Sequence, residues 1–166
     1  MVMAVTFPAF LFAAALADLR TRRIPNVVTS LFALAGLIVC ASGTGPASLR
    51  AGCVAGGISL VAGMAMRAMR VMGGGDVKLF AAAALWLGPA ATVTAALATA
   101  ICGGVAALYY LRAPASRLAL TRPSDALRRL QLDDGPDDNR VPYGVAIAAG
   151  CLWAWWPQIG PLLGAT

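Results

Sequence analysis

Two of the seven aspartates differ from the other five because each is attached to a strongly apolar segment. Asp18 lies in "LADLRTRRIPN" at 16–26, and Asp76 lies in "VMGGGDVKLF" at 71–80. Histidine and glutamate are absent, which leaves acid–base chemistry to aspartate, lysine, tyrosine and cysteine and excludes a histidine zinc site. Two carboxyl groups held close together cannot both ionise cheaply, so they share a proton. Such a pair can activate a water molecule and protonate a carbonyl oxygen.

Each aspartate also has an ordinary structural interpretation. Asp18 could pair with Arg20 or Arg22 at a helix end, and Asp76 could cap the N-terminus of a helix. The other five aspartates all fall in one polar stretch, at positions 125, 133, 134, 137 and 138. An ionised carboxylate on a membrane helix costs about 2.5–3.5 kcal/mol at the bilayer centre and less near its edge. Two recessed carboxylates on one side of a membrane therefore favour a functional pair.

The glycines that precede Asp76 are expected to give access to it. Without side chains, Gly73 and Gly75 let an extended substrate backbone and a water molecule approach the carboxylate closely. We also expect Gly75 to need a positive φ that a β-branched residue would forbid.

The elements that must position these residues are membrane helices. The chain has 166 residues, is 60% hydrophobic and only 12% charged, and its mean hydropathy is +0.77. So few charges cannot cover a soluble domain, and several apolar runs approach the roughly 20 residues that cross a bilayer core. The sequence predicts a single all-α, polytopic membrane domain over 1–166. Six helices are predicted, at 2–19, 26–42, 48–68, 76–88, 90–111 and 143–162, with the clearest breaks at Gly43–Pro46 and Gly88–Pro89.

Charge predicts the orientation of these helices. With the N-terminus extracytoplasmic, every one of the 13 basic residues except Arg50 falls on the cytoplasmic side, as the positive-inside rule requires. Asp18 and Asp76 then share the cytoplasmic side, and about 112–142 forms a cytoplasmic loop. Its basic part either contacts lipid headgroups or belongs to a solvated connector without a binding role. The four tryptophans are expected near the outer helix ends, each with its polar edge at the headgroups. They are Trp86, Trp153, Trp155 and Trp156.

The small residues of the third helix suit close helix packing. They are Gly52, Gly56 and Gly63. The four cysteines stand alone in apolar runs and are interpreted as small buried hydrophobes. They are Cys40, Cys53, Cys102 and Cys151. A disulfide between the first two is left open, and no metal or cofactor site is expected.

Three segments together resemble one family. "GGGDVKLFAAAALWLG" is similar to the GxGD motif of intramembrane aspartic peptidases in the extended form found in type IV prepilin peptidases. "DLRTRRIPN" resembles the first catalytic stretch of that family, and "VPYGVAIAAG" at 141–150 resembles the segment that opens its last helix. The three motifs occur in the family's order and cover nearly the whole chain.

The resemblance implies a membrane aspartic endopeptidase of the inner (cytoplasmic) membrane. Asp18 and Asp76 would be its catalytic pair, without a cofactor, and its substrates would be prepilins or pseudopilins that lose a short basic leader at the cytoplasmic face. Neither nucleic acid nor a particular oligomeric state is implied. The supporting residues would be Pro25, Asn26, Gly73, Gly75, Lys78, Pro142, Tyr143 and Gly144.

One departure and two alternatives accompany the resemblance. Larger members carry an N-terminal domain with paired CxxC motifs, associated with pilin methylation, whereas here only 17 residues precede Asp18. We therefore expect no methyltransferase activity and a short Tad/Flp-type peptidase, with archaeal preflagellin peptidases also compact. Membrane aspartates equally serve proton relays, so a small proton-coupled transporter or channel is the alternative function. A catalytically silent assembly scaffold is the third.

Overall fold

The computed structural model describes residues 2–21, 24–69, 71–112 and 143–162, and these residues contain five α-helices. The predicted all-helical fold is confirmed for these residues, and the helix bounds lie within two residues of those predicted. The helices are α1 (Val2–Thr21), α2 (Asn26–Ala41), α3 (Leu49–Ala68), α4 (Gly74–Arg112) and α5 (Tyr143–Leu162).

The predicted fourth and fifth helices form one element, α4, which is interrupted at Gly88. The backbone of Gly88 has φ 71° and ψ 176°, a conformation that glycine adopts at no steric cost. Pro89 follows and cannot donate a backbone hydrogen bond, and the Thr92 hydroxyl donates to the Gly88 carbonyl oxygen at 2.6 Å. The predicted break therefore lies where expected, and it divides α4 into a first half (74–87) and a second half (89–112).

The first half of α4 runs antiparallel to α3 at very close range. A Cβ added to Gly52 would lie 2.6 Å from the Leu85 carbonyl oxygen, and one added to Gly63 would lie 2.7 Å from Val77 Cγ1. Distances this short leave no room for a side chain at either Gly52 or Gly63 of α3. The predicted close packing through small residues is therefore confirmed, with α4 as the partner.

The second half of α4 runs antiparallel to α5. Gly103 faces the ring of Tyr143 at the start of α5, and Gly150 faces Thr99 one turn earlier in α4. Helix α5 is also antiparallel to α1, because Phe7 stacks on Trp155 with ring centroids 4.4 Å apart.

These contacts define two ends of the helix bundle. The aspartate end holds the C-termini of α1 and α3 and the N-termini of α2, α4 and α5. The far end holds the start of α1, the turn between α2 and α3, and the Gly88 break: a Cβ added to Gly88 would lie 3.0 Å from Ala47 Cβ, and one added to Gly45 3.6 Å from Met3 Cε. The basic residues follow the same division, with Arg20 and Arg67 in the last turns of α1 and α3 and Arg50 in the first turn of α3.

Four aromatic side chains form the centre of the core. Phe7, Phe32, Trp86 and Trp155 are all fully buried, and the ring centroids of Phe32 and Trp86 are 5.5 Å apart. The Trp86 indole donates to the Phe32 carbonyl oxygen at 3.0 Å and fills the space left by the absent side chain of Gly36.

The tryptophan prediction is therefore wrong for two of its four members. Trp86 and Trp155 are core residues, because close packing accommodates their rings inside the bundle. Trp153 and Trp156 are exposed on the outer surface of α5, as a place among lipids requires.

Large apolar side chains cover the outside of the bundle. Phe12, Ile58 and Leu97 are each more than 60% exposed, which would be unfavourable in water and suits a hydrocarbon surrounding. Within the residues that the structure describes, three spans are long and apolar enough to cross a membrane, Met3–Arg20, Leu49–Ala68 and Gly74–Leu108, and Asn26–Ala41 is a shorter apolar helix. The chain is a membrane protein.

Candidate active site

Asp18 is buried near the C-terminus of α1, with 6% of its surface exposed. Its Oδ2 atom accepts a hydrogen bond of 2.8 Å from the backbone N–H of Gly144. Gly144 is the second residue of α5, where backbone N–H groups lack helical partners and the helix dipole is positive. A buried carboxylate oxygen thus lies against a donor that stabilises negative charge.

Gly144 has no room for a side chain. A Cβ there would lie 2.7 Å from Asp18 Oδ2 and 2.9 Å from both Cβ and Cγ of the same residue. Any other residue would push the aspartate away from the N–H that binds it. This close approach gives a physical reason for glycine in the "PYG" segment.

Asp76 lies in the first turn of α4, two residues after the helix begins at Gly74. The helix starts earlier than the predicted residue 76, because Gly74 and Gly75 already have helical geometry and the Val77 N–H donates to the Gly73 carbonyl oxygen at 3.1 Å. A Cβ on Gly73 would lie 2.7 Å from Asp76 Oδ2. The carboxylate therefore folds back over Gly73, at the positive end of the helix dipole.

The glycines before Asp76 are needed for space and not for an unusual backbone. Among the described glycines, only Gly43 and Gly88 have a positive φ, so the expectation of a positive φ at Gly75 is wrong. A Cβ on Gly75 would lie 3.3 Å from Ile24 Cβ. Gly74 is covered by the Arg67 guanidinium, which would collide with any side chain there.

Arg67 and Ile24 are site residues that sequence reasoning missed. Both come from other segments, α3 and the α1–α2 turn, and nothing in their local sequence indicates that they cover Gly74 and Gly75. The Ile24 contact links the α1–α2 turn, six residues after Asp18, to the turn that carries Asp76. Asp18 and Asp76 thus lie at the same end of the bundle.

Lys78 and Asn26 join α4 to α2 at the same end. The Lys78 ammonium donates to Asn26 Oδ1 at 2.9 Å, and Asn26 is the first residue of α2. Pro25 precedes it in an extended conformation, and its carbonyl oxygen accepts from the N–H of Val28 at 3.1 Å. These three residues shape the entry into α2.

Tyr143 opens α5, with its ring against Gly103 of α4. Pro142 and the predicted loop over 113–142 lie outside the described residues, as do the aspartates at 125, 133, 134, 137 and 138. The four cysteines are free. Cys40 and Cys151 are buried as predicted, and the Cys40 thiol donates to the Leu85 carbonyl oxygen at 3.2 Å. The prediction is wrong for Cys53, which is exposed, and for Cys102, which is half-buried, because both lie on outward-facing helix surfaces.

The described side chains include two carboxyl groups at this end of the bundle but no cluster of metal ligands. Within 2–21, 24–69, 71–112 and 143–162, no three cysteine or aspartate side chains are grouped as metal ligands. Asp18 and Asp76 each lie where a helix N-terminus stabilises a single negative charge. The two carboxyl groups lie at the same end of the bundle.

A family model described as the type IV leader peptidase family matches residues 5–108. The chain belongs to this family. The match covers well over half of the 166 residues and includes both Asp18 and Asp76. No curated protein and no solved structure gives a significant match. Membership of the type IV leader peptidase family makes the chain a peptidase of the membrane.

Proposed function

We propose that this leader peptidase is an aspartic endopeptidase that removes the basic leader from prepilins or pseudopilins at the cytoplasmic face of the inner membrane. The observation that carries the proposal is the placement of two carboxylates, Asp18 and Asp76, at one end of an apolar bundle in a chain of this family. A leader peptidase substrate has its cleavage site between a polar leader and an apolar helix, which places the scissile bond at a membrane surface.

The proposed chemistry uses one shared proton. The ionised carboxyl takes a proton from a water molecule, which attacks the scissile carbonyl carbon, while the protonated carboxyl donates to the carbonyl oxygen. The Gly144 N–H holds Asp18 through its Oδ2 atom at 2.8 Å, which fixes the position of this carboxyl group. Gly73 and Gly75 leave the approach to Asp76 without side chains.

Orientation follows from charge. Arg20, Arg67 and Lys78 lie at the aspartate end, and Arg50 is at the opposite end. Basic residues are retained on the cytoplasmic side of a membrane, which supports a cytoplasmic active site and an extracytoplasmic N-terminus. The Gly88 break turns the two halves of α4 back on one another, so six spanning segments are proposed from five helices.

The test replaces each aspartate by asparagine. Asp18→Asn and Asp76→Asn keep the shape and some hydrogen bonding of the carboxyl group but cannot exchange its proton. Each purified variant in detergent should fail to release the leader from a recombinant prepilin, measured by mass spectrometry, while its melting temperature stays near that of the unsubstituted protein. Asp125→Asn, at an aspartate of the polar stretch, is the matched control and should cleave normally. Substantial cleavage by either Asp18→Asn or Asp76→Asn would refute the aspartic mechanism.

A further inference from the structure

A groove on the side of the bundle lies outside the proposed catalytic pair. It runs between α2, α3 and the first half of α4 and encloses about 380 Å³. Its walls are small or apolar, and they include Ala33, Gly57, Leu60 and Ala81. Gly57 leaves the groove open, since a Cβ added there would meet nothing within 4 Å.

One end of the groove is polar and positively charged. Lys78 is the charged residue among the described groove residues, and no carboxylate lines the groove with it. The Lys78 ammonium uses one donor on Asn26 Oδ1 at 2.9 Å and has two more to offer. Asn26, which Lys78 contacts, is the first residue of α2, so the positive end of the α2 dipole lies at the same place. The mouth therefore suits an anion.

The groove is shorter than one leaflet of a bilayer core. From Lys78 to Leu85 it follows seven residues of α4, or about 10 Å. A helix that crosses the membrane needs an apolar length of about 30 Å, three times that distance. An acyl chain that enters from the headgroup level needs only part of one leaflet. A short apolar groove below a single ammonium group thus fits a lipid better than a spanning helix.

We propose that this groove binds one anionic phospholipid. Its phosphate is held by Lys78 and Asn26, and one acyl chain lies along Gly57 and Ala81 between α3 and α4. The inference rests on the membrane setting of the bundle and not on its peptidase activity. Lys78 is two residues from Asp76 on the same helix, so the bound headgroup lies at the same end of the bundle as the proposed active site but on a different face of α4.

The test measures lipid binding directly. Delipidated protein in detergent is mixed with phosphatidylglycerol or phosphatidylcholine of the same acyl chains, and retained lipid is counted by native mass spectrometry. We expect one phosphatidylglycerol to be retained in preference to phosphatidylcholine. Lys78→Gln should weaken phosphatidylglycerol retention by about tenfold, since a charge-assisted hydrogen bond is lost, and should remove the preference over phosphatidylcholine, whose choline cation opposes the Lys78 charge.

Two further variants separate the groove from the general lipid-covered surface. Gly57→Leu fills the groove without a collision, and Gly104→Leu is its matched control because a Cβ there also meets nothing within 4 Å and Gly104 does not line the groove. Gly57→Leu should lose the retained phosphatidylglycerol and Gly104→Leu should keep it. Equal behaviour of these two variants, or equal retention of both lipids by the unsubstituted protein, would overturn the proposal. A Gly57→Leu protein that keeps its lipid but shows a raised KM for a prepilin would also overturn it and assign the groove to the substrate.

Discussion

Replacing Gly144 by alanine should damage the proposed site through one methyl group. The new Cβ would lie 2.7 Å from Asp18 Oδ2, whereas ordinary contacts begin near 3.4 Å, so the two atoms must separate by about 0.7 Å. The hydrogen bond from the Gly144 N–H, now 2.8 Å, would lengthen beyond hydrogen-bonding range. Leaving a buried carboxylate oxygen without this donor costs about 1–3 kcal/mol. If the catalytic geometry bears that cost, kcat/KM falls by about 5- to 160-fold.

The assay is leader removal by the purified protein in detergent, followed over a range of prepilin concentrations. Gly104→Ala is the matched control, since a Cβ at Gly104 meets nothing within 4 Å, and it should retain the full rate. The melting temperatures of both variants show whether the bundle stays folded. A Gly144→Ala protein that is folded and cleaves within twofold of the unsubstituted rate would refute the argument that this N–H positions Asp18.

Two further substitutions test the packing that surrounds the site. Gly75→Val should lower kcat/KM at least about tenfold. A Cβ added at Gly75 would already lie 3.3 Å from Ile24 Cβ, and the two further methyl groups of valine would displace the first turn of α4, which carries Asp76. An unchanged rate in the cleavage assay would show that the space at Gly75 is not needed. Gly63→Ala should destabilise the bundle by about 1–3 kcal/mol through overpacking against Val77, which lies 2.7 Å from the new Cβ. Thermal unfolding in detergent measures this, and Gly57→Ala, where the Cβ meets no atom within 4 Å, should not lower the melting temperature. Equal melting temperatures for those two alanine variants would contradict the α3–α4 packing.

Local features of the sequence were sufficient to predict the helices. Apolar runs of known length and the Gly88–Pro89 break depend on neighbouring residues only, so the helix bounds could be placed within two residues. Likewise, Gly52, Gly56 and Gly63 predict a closely packed helix face because small residues have few other uses there. The partner of that face, the first half of α4, could not be inferred from spacing.

Contacts between distant segments could not be predicted. The Gly144 N–H and Asp18 are 126 residues apart, and only the fold shows why a glycine is required. The burial of Trp86 depends on the missing side chain of Gly36, which is 50 residues away in the sequence. The amphipathic indole alone therefore predicted contact with lipid headgroups, whereas the Trp86 ring is buried in the core. Arg67 covers Gly74 for a similar reason: the contact exists only after α3 and α4 pack.

The distance along α4 from the Gly88 break fixes the position of Asp76 in the candidate site. It is anchored at the far end by its contact with Ala47, and the 12 residues from there to Asp76 rise about 18 Å as a helix. The position of Asp76 along the bundle axis therefore depends on a contact at the opposite end of the protein. One residue inserted anywhere in this stretch would rotate Asp76 by about 100° around the helix axis and turn its side chain away from its present neighbours. The length of an apolar segment with no catalytic group of its own thus sets both the level and the direction of the Asp76 carboxyl group.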